Sequence, residues 1–189
     1  MKTFKIDVPD AVLSDLTQRL SLSRWPDALE DAGWDYGTDL DYARELCEYW
    51  QNDFDWRSQE RLLNLFPQFK VEIDGLDIHF IHQKGTGPAP LPLVLTHGWP
   101  SSFYEMHKII GPLSDPGAHG GDPADAFHIV APSLPGYGFS DPPKVRGFDT
   151  HRIADVWAKL MVDVLEYPRF GAQGGDWGAA VNTGLGQQH

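Results

Sequence analysis

Gly171-Ala172-Gln173-Gly174-Gly175-Asp176-Trp177-Gly178 is the stretch on which the fold turns. Asp176 has a small residue two places before it, Gly174, and another two places after it, Gly178. Phe170 and Ala172 make a short apolar approach, and Ala179, Ala180, Val181 and Leu185 can continue as a helix. This is the layout of a nucleophile elbow, a sharp strand-to-helix turn that pushes one side chain out at the top of a sheet. The turn is strained, so its flanking positions need little or no Cβ bulk. Here the exposed residue is a carboxylate where many such elbows carry serine. A carboxylate nucleophile yields an alkyl ester when it attacks a carbon in a strained ring or one bearing a good leaving group. The plainer reading has Asp176 capping the following helix, for which Asp is well suited. The octapeptide alone leaves both readings open.

The rest of the chain bounds the classes. With 189 residues, 41% of them hydrophobic and 22% charged, it is long enough for one domain, or one and a small part, with a buried core. Fifteen basic residues against 27 acidic ones give a net charge of −12, which argues against a nucleic-acid surface. A single cysteine, Cys47, rules out an internal disulfide and fits a cytoplasmic location. Residues 1–20 hold Lys2, Lys5, Asp7, Asp10, Asp15 and Arg19, so no signal peptide, membrane span or membrane anchor is expected there. Of seven tryptophans, Trp25, Trp34, Trp50 and Trp56 lie in the first third and are read as packing anchors.

Residues 1–69 read as a helical meander without strands. Asp10 is placed to cap a helix carrying Val12, Leu13, Leu16 and Leu20 on one face. Residues 26–39 read as loop. Thr38 or Asp39 starts a second helix with Leu40, Ala43, Leu46, Cys47 and Trp50 on its inner side, and Asp55 caps a third that Pro67 stops. From Phe69 the period becomes strand-like: Val71 and Ile73, an Asp74-Gly75 turn, then Leu76, Ile78 and Phe80. Pro92 to Thr96 and Phe127 to Ala131 are short apolar strands of the buried parallel type. Ser102 to Glu105 has the pattern of a capping box, opening a helix that ends near Gly111-Pro112. Asp149 or Thr150 caps a helix with Ile153, Val156, Trp157, Leu160, Met161, Val164 and Leu165 on one stripe. Strand–helix alternation after a hairpin predicts an α/β fold with a mainly parallel sheet and flanking helices over residues 70–189.

Two more motifs fall at the same edge of that sheet. His97-Gly98-Trp99-Pro100 follows an apolar strand directly. The backbone N–H groups of Trp99 and of Trp177 can then point at one spot, as an oxyanion hole requires. Gly98 allows close backbone approach, Pro100 stiffens the exit, and the ring of His97 is read as holding the loop. Leu134-Pro135-Gly136-Tyr137-Gly138-Phe139-Ser140-Asp141 follows the next strand. It is no dinucleotide loop, since a third glycine is missing and Pro142-Pro143 blocks the helix such a loop needs. Nothing in the pattern calls for a metal or a cofactor.

Together these residues resemble the α/β-hydrolase-fold epoxide hydrolases of the microsomal and juvenile-hormone type. The HGWP motif, the PGYGFS loop and the GGDWG elbow stand in that family's order. Residues 49–69, YWQNDFDWRSQERLLNLFPQF, and then GLDIHFIH resemble its N-terminal region, which in the family runs on to about residue 110. The resemblance implies that Asp176 attacks a small apolar epoxide to form a hydroxyalkyl ester. Water then attacks that ester while the Trp99 and Trp177 amides hold the oxyanion, and a vicinal diol leaves. The family's water-activating histidine, its acid partner and two lid tyrosines belong downstream of the elbow. Only Trp177 to His189 follow Asp176, and His189 is expected to point away from the site. The chain is therefore expected to be an incomplete α/β-hydrolase core, inactive alone, with an open sheet edge prone to self-association. The alternatives are a haloalkane-dehalogenase-like hydrolase and a non-catalytic binding or interaction fragment. Trp99 and the N-terminal region favour the epoxide reading.

Overall fold

Apolar alternation on both sides of Asp74-Gly75 builds a two-strand ribbon in the computed structural model, which describes residues 1–189. β2 (Gln68–Ile73) and β3 (Leu76–Gln83) pair antiparallel, with Ile73 opposite Leu76. Asp74 and Gly75 have φ of 52° and 78°, the left-handed values that a tight two-residue hairpin needs. Asp74 also accepts from Arg152 and Lys159, at 2.9 and 2.6 Å.

A strand that the sequence did not disclose, β1 (Lys2–Phe4), lies antiparallel along β2 with Thr3 opposite Phe69. Three residues are too short to show alternation, and the pairing is with a segment far along the chain. The Phe4 ring helps to fix it, 5.0 Å from the His79 ring and 5.2 Å from that of Phe139, with the Lys70 ammonium 5.1 Å from its centroid.

β4 (Leu91–Thr96), β5 (Phe127–Pro132) and β6 (Gly171–Gly174) complete a six-stranded sheet in the order β1-β2-β3-β5-β4-β6. β3 and β5 are antiparallel, whereas β5, β4 and β6 run parallel. Val94, Leu95, Ile129 and Val130 are buried, as expected for short apolar strands covered on both faces. The result is a mixed sheet whose parallel half carries the motifs.

α4 (His107–Ser114) follows a 3₁₀ turn at Phe103–Met106. No reciprocal capping box forms: Ser102 Oγ accepts from the Tyr104 N–H at 3.2 Å, and the Glu105 N–H goes to the Ser102 carbonyl. Nor does the helix stop at Gly111-Pro112. It runs on to Ser114, because Pro112 forfeits only its own bond to an earlier carbonyl. α5 (Thr150–Lys159) is capped by Asp149, which accepts from the Arg152 N–H at 3.0 Å. A π turn at Leu160–Val164 closes it, the Leu165 N–H reaching the Leu160 carbonyl at 3.0 Å. The stripe Val156, Trp157, Leu160 and Met161 is buried against Phe80, Val94 and Val130 in one core. α6 (Trp177–Gln188) adds Val181 and Leu185 to it.

The chain divides into two units, one formed by Met1–Lys5 with Leu63–His189 and the other by Ile6–Leu62. The second holds α1 (Asp10–Ser21), α2 (Leu40–Asn52) and the start of α3 (Trp56–Leu63). Asp39 caps α2 through the Tyr42 N–H at 2.9 Å, and Asp55 accepts from the Ser58 N–H at 3.0 Å. Asp10 does not cap α1. Pro9 takes the cap position, and Asp10, the first helical residue, pairs with Arg57 instead. Three of the four expected packing tryptophans are exposed: Trp25 at 37%, Trp50 at 46% and Trp34 at 60%. Only Trp56 is half-buried, its Nε1–H donating to Glu60 Oε1 at 3.3 Å. On α2, Ala43 and Cys47 turn inward, while Leu46 and Trp50, expected inside, share an exposed stripe with Tyr42 and Tyr49. The apolar arc of α2 is wider than three short helices can cover. No helix in the molecule is long and apolar enough to cross a membrane.

Candidate active site

Adjacent parallel strands bring the motifs together. Thr96 at the end of β4 stands in register with Gly174 at the end of β6. The residues that follow each strand, His97–Pro100 and Gly175–Trp177, therefore emerge side by side at the carboxyl edge of the sheet. The approach is so close that glycine is required at three places. A Cβ on Gly178 would lie 2.2 Å from the Thr96 carbonyl oxygen, and one on Gly174 would lie 2.6 Å from the same atom. A Cβ on Gly98 would lie 2.7 Å from Cβ of Asp176. The spacing of small residues around Asp176 thus has a steric cause in β4.

Asp176 itself has φ 51° and ψ −125°, a backbone state that costs a non-glycine residue roughly 1–3 kcal/mol. It occupies the cap position of α6, but its side chain makes no capping bond to the N–H groups further into the helix, so the capping reading of Asp176 fails. Its Oδ1 instead accepts from the Trp99 N–H at 2.8 Å, across 77 residues of chain. That bond, and a second from the Trp177 N–H, hold the Asp176 carboxyl below the usual carboxylate range. Both amides expected to form an oxyanion hole are thus aimed at the carboxylate itself. The indoles of Trp99 and Trp177 are exposed, at 59% and 52%. The Trp99–Pro100 peptide is cis.

His97 is buried and fully engaged. Nδ1 lies 2.9 Å from the Gly98 carbonyl, to which it donates, and Nε2 accepts from the Leu134 N–H at 3.0 Å. Those partners fix the neutral Nδ1–H tautomer, and burial pushes the ring's pKa down. The His97 ring therefore ties the loop after β4 to the loop after β5, with no nitrogen left for proton transfer.

The Gly136–Ser140 loop is closed on itself. The Gly136 N–H reaches the Asp141 carbonyl at 2.9 Å, and the Ser140 N–H reaches that of Tyr137 at 3.0 Å. Its base is a buried network that the sequence reading missed. His79 Nε2 donates to Gln68 Oε1 at 2.9 Å, and His79 Nδ1 accepts from Ser133 Oγ at 2.9 Å. Ser140 Oγ takes the His79 backbone N–H at 2.9 Å and donates to the Ser133 carbonyl at 2.7 Å. Burial drives the His79 pKa down to about 3. The sequence hid it because His79 falls out of phase with Leu76, Ile78 and Phe80, on the face that the alternation leaves for polar residues. No histidine bonds Asp176, and the His189 ring lies 3.0 Å from Asp155. No group of His, Cys, Asp and Glu is placed to hold a metal.

An elbow carrying Asp, set beside an amide donor from the neighbouring parallel strand, is a geometry of the α/β-hydrolase fold. The family models agree. Residues 1–106 match the epoxide hydrolase N terminus, and residues 92–189 match the alpha/beta hydrolase fold. The chain belongs to the α/β-hydrolase-fold epoxide hydrolase family. A Stigmatella aurantiaca protein provisionally named an epoxide hydrolase is 49% identical over 182 residues, covering 96% of this chain and 41% of its own length. Rabbit (Oryctolagus cuniculus) epoxide hydrolase 1 is 42% identical over 191 residues, covering 99% of this chain and 42% of its own. The structure of Aspergillus niger epoxide hydrolase superposes with a TM-score of 0.85 at 37% identity, over 98% of this chain and 48% of that one. Bombyx mori juvenile hormone epoxide hydrolase superposes with a TM-score of 0.86 at 31% identity, over 99% and 49%. The chain thus spans less than half the length of these relatives.

Proposed function

We propose that Asp176 is an epoxide-opening nucleophile and that this chain carries the ester-forming half of an epoxide hydrolase. The observation that carries the reading is the 2.8 Å bond from the Trp99 N–H to Asp176 Oδ1. With Oδ1 held there, Oδ2 is the oxygen free to attack. Its lone pair forms a C–O bond to a ring carbon of a small apolar epoxide. The ring C–O bond breaks, and the electron pair leaves on the epoxide oxygen, which takes a proton from solvent. Oδ1 then becomes the carbonyl oxygen of the ester, already facing the Trp99 amide, with the Trp177 amide beside the same carboxyl. Those donors would stabilise the oxyanion when water adds, the step that returns the carboxylate and releases a vicinal diol.

That second step needs a base near the ester. His97, the histidine in the adjoining loop, has both nitrogens occupied. The chain alone is therefore expected to accumulate ester and turn over little or not at all. Incubation with styrene oxide tests this by comparing diol released with ester retained. Up to one equivalent of ester and no continuing diol release is the expected result. Many turnovers per chain would contradict the reading that no base serves the site.

A further inference from the structure

Beneath the elbow runs a buried polar chain with no part in the chemistry described. The indole Nε1–H of Trp157, on α5, donates to Thr96 Oγ1 at 3.1 Å. Thr96 Oγ1 donates in turn to Asn182 Oδ1, on α6, at 3.3 Å. Trp157 and Thr96 are fully buried and Asn182 is half-buried. Directions follow from the inventory of donors: an indole N–H only donates, so the hydroxyl proton is free for the amide oxygen.

Thr96 is thus fastened at both ends. Its carbonyl oxygen is wedged against Gly174 and Gly178, the small residues on either side of Asp176. Its side chain joins β4 to α5 and to α6. Three residues further along the same strand exit is the Trp99 N–H that holds Asp176. A hydrophobic residue of the same shape would fill the space equally well, but it would free α6 to slide against β4. The geometry points to Thr96 as a positioning residue: its bond to Asn182 sets the height of α6, and with it the meeting of the Trp99 amide and the Asp176 carboxylate. This rests on the reading of Asp176 as nucleophile only where ester formation is measured. The positioning itself is a property of the resting protein.

The bland alternative is that Thr96 merely satisfies the buried Trp157 N–H. Four variants of the 189-residue chain separate the two: Thr96→Val, Thr96→Ser, Trp157→Phe and Asn182→Ala. The first readout is the Trp99 amide by NMR, both its hydrogen exchange and the shift of its resonance as Asp176 titrates. The second is the rate of ester formation at Asp176 with styrene oxide, resolved into its saturated value and its half-saturating concentration.

Thr96→Val and Asn182→Ala are expected to speed Trp99 amide exchange on the order of tenfold, and to blunt its response to Asp176. The saturated ester rate falls on the order of tenfold, with half-saturation unchanged, as slight misplacement of a reacting group would produce. Thr96→Ser restores both readouts. Trp157→Phe leaves both intact, and combined with Thr96→Val it rescues neither. Trp99 exchange and titration unchanged in Thr96→Val would overturn the inference, as would their recovery in the Trp157→Phe double variant. Should Thr96→Val fail to fold, Asn182→Ala carries the same test from the half-buried end. If the wild type forms no ester while the Trp99 coupling is lost in the variants, the nucleophile reading fails and the positioning stands. If ester forms equally fast in Thr96→Val and Asn182→Ala, the positioning fails and the nucleophile stands.

Discussion

The two units of this chain are built on opposite principles. In the sheet unit, Trp157, Leu160, Met161, Phe80 and Val94 are buried together, and polar groups inside are paired. In Ile6–Leu62, α1 and α2 have no fully buried residue. Caps from Asp39 and Asp55 and ion pairs such as Arg44–Asp41 at 2.9 Å define its helices, while most of its aromatic residues, Trp56 excepted, face outward. A site requiring atoms placed to a few tenths of an ångström sits in the unit where burial enforces placement. The helical unit has the features of a region that opens at low free-energy cost, with few buried contacts and exposed hydrogen bonds.

The sharpest way to break the contrast is to truncate one large side chain in each unit. Trp157→Ala removes a fully buried indole and is expected to cost about 3–5 kcal/mol. Trp34→Ala removes one that is 60% exposed and is expected to cost about 0.5 kcal/mol or less. Denaturant unfolding of both variants checks this. Similar losses would mean that the helical unit has a packed core after all.

Gly178→Ala attacks the same rigidity at the site. The added Cβ meets the Thr96 carbonyl oxygen at 2.2 Å, so β4 and α6 must part. Ester formation is expected to fall by about 100-fold or more, whereas Gly33→Ala, in an open turn of the helical unit, leaves it unchanged. Single-turnover kinetics followed by mass spectrometry decides it.

Those glycines also mark what was legible in the sequence. The elbow, the loop after β4 and their meeting could be read because small residues at fixed spacing have one steric explanation. The stripe on α5 could be read because burial imposes its period. What stayed hidden was made by distant partners. β1 exists through β2 and Phe4. The His79 network spreads over Gln68, Ser133 and Ser140, and the Trp157–Thr96–Asn182 chain over three elements. The tryptophans of the helical unit misled for the converse reason: aromatic composition signals a need for cover, not the presence of it.

Acid sharpens the comparison further. His79 stays neutral in the fold down to about pH 3, whereas in the unfolded chain it protonates near 6.5. Between those values the unfolded state binds more protons, so stability falls as pH drops through the window. At pH 5, His79 alone accounts for a loss of roughly 2 kcal/mol. His82, depressed to about 4 by burial and by Lys84 and His128, acts in the same direction. Glu60, in the helical unit, is depressed instead, chiefly by the Val8 N–H, so its contribution is whole above the ordinary carboxylate value and is lost as pH falls from there through its own lowered one. Thermal melts from pH 7 to 4 should therefore show loss beginning near pH 6.5, and His79→Gln should flatten the curve. A flat profile to pH 5 in the wild type would contradict it.

The two edges of the sheet make a finer comparison. β1 is three residues long and begins with Lys2, a charge that discourages pairing. β6 offers Gly171 to Gly174 with Ala172 and Gln173 exposed and no charge among them. Self-association through β6 is the expected outcome, opposed by the net charge of −12 but screened beyond about 10 Å at ordinary salt. Light scattering should show oligomers that Ala172→Lys reduces. A monodisperse wild-type monomer would show that β6 is protected.

The central claim is that Asp176 is the atom donor in ring opening, and locating the adduct tests it most directly. The chain is incubated with styrene oxide, digested, and mapped by tandem mass spectrometry, alongside Asp176→Asn analysed promptly to limit deamidation. The expected result is one hydroxyalkyl ester on Asp176 in the wild type and none in the variant, with Cys47→Ser indistinguishable from wild type. An adduct distributed over other carboxylates or on Cys47, or ester formation undiminished in Asp176→Asn, would contradict the account.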